Sequence, residues 1–94
     1  MTRYRCRIRV NVRSRGHDYT GYLVNISTGG MRLYTDDVAE IWTGDRVEVV
    51  SADFGLVTGE ARWRAPHLLG VRFKDSTNNN ARVNALLRHF HLRA

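Results

Sequence analysis

From Arg3 to Arg13 every odd position is arginine except Asn11, and the even positions Ile8, Val10 and Val12 are β-branched aliphatics. A period of two with these residue types is a strand with one buried face and one charged face, clearest over Arg7 to Arg13. Such a strand cannot stand alone. Its apolar face needs further strands to cover it, and in 94 residues they must belong to the same small domain. The single cysteine, Cys6, excludes an internal disulfide, so packing alone holds the fold.

The charge sits where the alternation sits. Six of the fifteen Lys and Arg residues precede position 16 with no acidic residue among them, and the other nine are matched by nine acids. The formal net charge of +6 therefore belongs to the N-terminal segment, and the rest of the chain is neutral. Fourteen of the fifteen basic residues are arginine, Lys74 being the exception. Solvated faces and polybasic lipid anchors can use lysine equally well. A cluster made only of arginine points to planar, bidentate recognition of phosphate or of a base edge. Arg3, Arg5, Arg7 and Arg9 share one parity and line one face of an extended chain. Armour for an edge strand accounts for one or two of them. Four that repel one another without an acidic neighbour call for an anion.

Most of the remaining chain reads as short strands. Ser14 to Asp18 is a turn cluster. Tyr19 to Ser27 is a second strand, with Tyr22, Val24 and Ile26 on one face and Leu23, Asn25 and Ser27 on the other. Thr28, Gly29 and Gly30 break it before a short strand from Met31 to Tyr34. Asp36 to Thr43 reads either as a helical turn capped by Asp36 and Asp37 or as a loop, with Trp42 packed on the body. Strands follow at Arg46 to Val50, Leu56 to Arg64 and Leu68 to Lys74, the first two joined by a hairpin loop at Ala52 to Gly55. Val83, Leu86, Leu87 and Phe90 then fall at i, i+3, i+4 and i+7, one face of a helix over 77–92 with Ser76, Thr77 or Asn78 as its cap. Six strands and one helix predict a mainly β fold: a six-stranded antiparallel barrel over 7–74, closed at one opening by the C-terminal helix. Residues 1–94 form one domain, with 1–9 as an arginine-rich clamp.

Enzymatic chemistry finds little support. His17, His67, His89 and His91 belong to no catalytic or zinc-binding spacing, and the acidic residues are scattered. No enzyme, metal or cofactor is expected. No apolar run approaches the roughly 18 residues of a membrane span. The first residues lack the apolar core of a signal peptide, which sets the expectation of a cytoplasmic protein without membrane insertion.

Asn25-Ile26-Ser27-Thr28-Gly29-Gly30 ends the second strand with two polar side chains of the same parity and two glycines. Taken alone it is an ordinary turn. Together with Arg3-Tyr4-Arg5-Cys6-Arg7 some twenty residues earlier, it resembles the PilZ domain, whose motifs are Arg-x-x-x-Arg and Asp/Asn-x-Ser-x-x-Gly. Gly59 to Trp63, Leu69 to Phe73 and the closing helix resemble that family's last strand pair and helix, so the likeness spans nearly the whole chain.

The resemblance implies a receptor for the bacterial second messenger cyclic di-GMP. Arg3 and Arg7 would grip phosphates and guanines, and Asn25, Ser27 and Gly30 would receive a guanine on the other side. Arg5 and Arg9 satisfy the same spacing as an alternative register. Trp63 either stacks on a guanine or packs in the core with Val57 and Ala61. Thr2 stands before Arg3 where an arginine accompanies paired ligand molecules, which favours one molecule. A downstream protein partner is implied. The alternatives are a PilZ-like adaptor that binds protein without nucleotide, and a barrel for single-stranded nucleic acid. The neutral body argues against the latter, because backbone tracking needs an extended basic groove.

Overall fold

The alternation at Ile8, Val10 and Val12 lies within β1 (Tyr4–Ser14), one wall of a closed six-stranded barrel. In this computed structural model residues 2–36 and 40–93 are described, side chains being given as far as residue 90. The other strands are β2 (His17–Ile26), β3 (Gly30–Thr35), β4 (Arg46–Ser51), β5 (Gly55–Ala65) and β6 (Leu68–Phe73), followed by the helix α1 (Thr77–Arg93). Around the barrel the order is β1-β2-β3-β6-β5-β4, and every neighbouring pair is antiparallel.

Val10, Val12, Leu23, Leu33, Val47, Val49, Val57 and Leu69 fill the interior and are almost wholly removed from water. Each such side chain contributes about 1.5–3 kcal/mol of burial. The two openings are stopped differently. Ile41, fully buried, enters from the connection between β3 and β4. The expected helical turn over Asp36 to Thr43 falls partly on residues 37–39, outside the described ones. Glu40 to Thr43 are not helical. At the other end α1 presents Val83 and Leu86 to the core, with Leu87 and Phe90 half-buried beside them. Phe90 stacks on Tyr4 with ring centroids 6.0 Å apart. Ser76 Oγ caps the helix by accepting from the Asn79 backbone N–H at 3.1 Å.

The ladder register shifts at three places, each a β-bulge, and alternation of burial breaks on β2 and β5 while β1 keeps it throughout. Between the ladder pairs Arg5–Asn25 and Ile8–Leu23, Cys6 and Arg7 oppose the single residue Val24. Between Leu23–Leu33 and Asn25–Arg32, Val24 is the extra residue on β2. Between Ala61–Val71 and Trp63–Gly70, Arg62 is the extra residue on β5. Where the alternation breaks, on β2 and β5, the facing of the residues after it is reversed.

The β2 faces read from parity are corrected accordingly. Leu23 and Ile26, three apart, are the core residues, while Tyr22 and Val24 are only half-buried. Ser27, assigned to the outside with Asn25, is buried.

Cys6 lies inside the first bulge, half-buried, with Sγ donating to the Leu23 carbonyl at 3.6 Å. Burial pushes its thiol up from 9.0 to about 11. The folded chain thus favours the protonated thiol. The associated stability is complete below pH 9 and is lost as pH rises toward 11. Alkylation by iodoacetamide at pH 8 is expected to run about 100-fold slower on the folded protein than on the urea-unfolded chain, in proportion to thiolate. Equal rates in the two states would refute this environment for Cys6.

Candidate functional site: a cationic pocket at the turn between β2 and β3

The bulges at Val24 and Arg62 turn polar and aromatic side chains onto one patch of the outer wall. On β2 Asn25 follows the bulge, the buried Ser27 comes just after the strand, and Arg3 reaches both from just ahead of β1. Arg3 Nε donates to Asn25 Oδ1 at 2.8 Å, and Arg3 Nη1 donates to Ser27 Oγ at 3.3 Å. The Ser27 backbone N–H donates to the Gly30 carbonyl at 2.9 Å, which fixes the turn. The Phe73 N–H donates to the Gly29 carbonyl at 3.0 Å, which ties the turn to β6. Two halves of the chain more than twenty residues apart are thereby joined by one guanidinium.

Arg3 and Ser27, with Gly29, Gly30, Arg32, Arg62, Trp63 and Arg72, line an open pocket of about 320 Å³. The guanidinium of Arg32 lies over the Trp63 ring, 5.6 Å from its centroid. Partial burial, and after it the nearby charge of Arg32, lowers the proton affinity of Arg3. The second of these causes reflects two guanidiniums held close together in the pocket wall. Among the described residues, the pocket arginines make one ion pair, a loose 3.9 Å contact from Arg62 to Glu60. An anion entering here would meet Arg3, Arg32 and Arg72 without displacing a carboxylate.

Trp63 is the residue for which core packing and an outward position were both open. It is outside. Parity with Val57 and Ala61 would bury it, but the extra residue Arg62 turns it out of the barrel, 40% exposed. Its ring sits against Gly70, where a side chain on β6 would occupy the same space. Trp42, expected to pack, is also exposed, at 54%, with the Arg64 guanidinium 4.3 Å above its ring. Only its neighbour Ile41 enters the core.

The other sequence candidates do not converge. The Arg7 guanidinium stacks on the Tyr22 ring at 4.6 Å, away from Asn25 and Ser27. Arg5 is the ladder partner of Asn25 but lines a groove beside α1. Arg9, opposite Tyr22, borders a small recess with Tyr34 and Asp36. Gly30 is in the pocket wall, yet its lack of a side chain is also required by the barrel, because a Cβ there would collide with the Val71 carbonyl.

Arg32 and Arg72 were missed by sequence reasoning. Their outward parity was readable from the apolar Met31, Leu33, Leu69 and Val71. Their meeting depends on the β3–β6 register, in which Gly30 opposes Arg72 and Arg32 opposes Gly70.

Barrel and pocket together define a small domain that presents a cationic, aromatic-rimmed depression to a ligand. A family model for the PilZ domain matches residues 2–90, and the chain belongs to that family. It is similar in structure to the PilZ domain of CeSA from a cellulose-synthesizing bacterium, at TM-score 0.80 and 17% identity over 100% of both chains. It is also similar to an uncharacterized protein of Legionella, at TM-score 0.66 and 15% identity over 99% of this chain and 98% of the other. No curated protein matches it. PilZ domains are known as receptors for cyclic di-GMP and are ligand-binding or adaptor domains rather than enzymes. Among the described residues no helix is long and apolar enough to cross a membrane.

Proposed function

We propose that this chain is a cytoplasmic receptor for cyclic di-GMP that signals to a protein partner. The observation that carries the reading is the convergence of Arg3 on both Asn25 and Ser27. The dinucleotide offers two phosphates and two guanines. Arginine forks match phosphate oxygens and the O6/N7 edge of guanine. Arg3 would exchange its bonds to Asn25 and Ser27 for bonds to the ligand, freeing the Asn25 amide and the Ser27 hydroxyl for the same molecule. Arg32 and Arg72 supply further charge, and Gly30 keeps the approach to the backbone open.

Arg7 joins by leaving Tyr22. An exposed cation–π contact is worth about 0.5–1 kcal/mol, little against a charge-assisted bond to phosphate. A single ligand molecule is expected, because Thr2 and not arginine precedes Arg3. Its binding would order the arginine segment across the barrel wall and alter the surface a partner meets.

Titration calorimetry with cyclic di-GMP tests the reading. Saturable heat near one molecule per chain is expected, and no heat from the intact protein would sink it. Arg7→Ala should weaken binding and Arg5→Ala should leave it nearly unchanged. The reverse result would move the site to the Arg5/Arg9 register. Trp63 stands at the rim, so a stacked guanine should quench its emission. The ligand-dependent fall should vanish in Trp63→Phe, and Trp63→Ala should weaken binding about tenfold. An unquenched wild-type signal at saturation would remove Trp63 from the site.

A further inference from the structure

On its β2 side β1 is paired from Tyr4 to Ser14, but on its other side it meets β4 only at Asn11, Val12 and Arg13. β4 ends at Ser51, and β1 runs on without it. Tyr4 to Arg9 therefore have no strand along one edge, a length of about 20 Å at strand rise. Alternate residues of a strand direct both N–H and C=O to the same edge, so this one carries unpaired donors and acceptors. Among the described residues, no backbone hydrogen bond from outside the β1–β2 ladder reaches Arg5 to Arg9.

The edge opens into a groove of about 1030 Å³ between β1, the β4–β5 hairpin tip and α1. Ile8, Phe54 and Leu86 give it an apolar floor, and Ala81 and Ala85, one helical turn apart, leave the α1 wall low. Arg82 Nη1 donates to the Phe54 carbonyl at 3.2 Å, holding the hairpin tip to the helix so that the groove is already formed. Arg5, Arg7 and Arg82 border it, against one acid, Asp53.

We propose that this edge is a docking site for an extended, acidic segment of a partner protein, which adds to β1 as a further strand. Main-chain bonds to the edge give affinity, and alternate side chains meet the floor and the arginines. The arginines also select the occupant. A second copy pairing antiparallel through the same edge would set Arg5, Arg7 and Arg9 against their own equivalents, which like-charge repulsion opposes. An acidic strand meets the reverse situation. The groove lies on the side of β1 away from Asn25 and Ser27 and shares only Arg7 with the dinucleotide reading, and strand addition to the edge does not require the dinucleotide.

The test uses the whole chain without nucleotide and a fluorescein-labelled hexapeptide of alternating glutamate and valine. Two further versions carry N-methyl groups on the even or on the odd residues. The parent peptide should bind and slow hydrogen exchange at the amides of Arg5 to Arg9. One N-methylated version, blocked on its pairing edge, should bind at least tenfold more weakly, and the other should match the parent. A lysine-for-glutamate peptide should not bind. Ala85→Trp fills the groove from an exposed helix position and should abolish binding while the melting temperature holds. No binding at millimolar peptide overturns the proposal. So do equal affinities for the two N-methylated versions, undiminished binding to Ala85→Trp, or sedimentation as a dimer that the peptide dissolves.

Discussion

Replacing Arg3 by alanine should lower cyclic di-GMP affinity about 10- to 100-fold and leave the melting temperature unchanged. The magnitude follows from the chemistry of one guanidinium. Hydrogen bonds to charged groups are worth about 1.5–3 kcal/mol, and each 1.4 kcal/mol is tenfold in affinity. Stability is spared because Arg3 is exposed, precedes β1 and, among the described residues, bonds only to the side chains of Asn25 and Ser27. Arg3→Lys keeps the charge but lacks the planar fork and should recover only a small part of the loss. Asn25→Ala removes the amide on the opposite side and should weaken binding about tenfold. Calorimetry measures the affinity and differential scanning calorimetry the fold. Wild-type affinity in Arg3→Ala would place the dinucleotide elsewhere on the molecule.

Replacing Asn79 by leucine should cost about 3 kcal/mol of stability, a fall of some 12–24 °C in melting temperature for a domain of this size. Asn79 is buried at the start of α1 and latches the helix to the barrel. Its Nδ2 donates to the Thr58 and Lys74 carbonyls, each at 2.7 Å, and its Oδ1 accepts the Thr58 N–H at 3.1 Å. Leucine fills a similar volume but takes the partner from the Thr58 N–H and the Lys74 carbonyl, while the Thr58 carbonyl keeps the Lys74 N–H at 3.1 Å. The cost of orphaned polar groups then outweighs the added burial. Urea titration measures it, and a change below about 1 kcal/mol would show that the surroundings rearrange to pair those groups.

The two substitutions separate what is readable in this sequence from what is not. The strands and helix follow from apolar periodicity, and the breaks follow from glycine, proline and asparagine clusters. Ser76 sits at the cap position its side chain suits. Arg3, Asn25 and Ser27 are recognisable because their spacing matches a family pattern.

Facing is another matter. Val24 and Arg62 are ordinary strand residues, yet each is the extra member of a bulge, and nothing in its chemistry marks it. The facing of Leu23 and Trp63 is therefore decided by a one-residue shift, and Ser27 is buried by the turn that follows β2. Asn79 looks like one of three consecutive asparagines, Asn78 to Asn80. Its importance comes from Thr58 and Lys74, which only the assembled barrel brings to it. Arg32 and Arg72 are hidden for the same reason, since two residues forty positions apart meet only once β3 and β6 are in register.

The short β1–β4 ladder has a consequence in time. Five of the six strand junctions are long, and the ring is completed by the three residue pairs joining Asn11 to Arg13 with Glu48 to Val50. β1 with β2, and β4 with β5, are joined by tight turns and lie close along the chain. The ring junction spans more than thirty residues, as the β3–β6 junction does, but is held by three residue pairs where β3 and β6 have five. It is therefore the weakest join in the ring and the first expected to open. The strand bearing the arginine run is consequently released along one whole side in the earliest opening of the native ring, while its pairing with β2 persists.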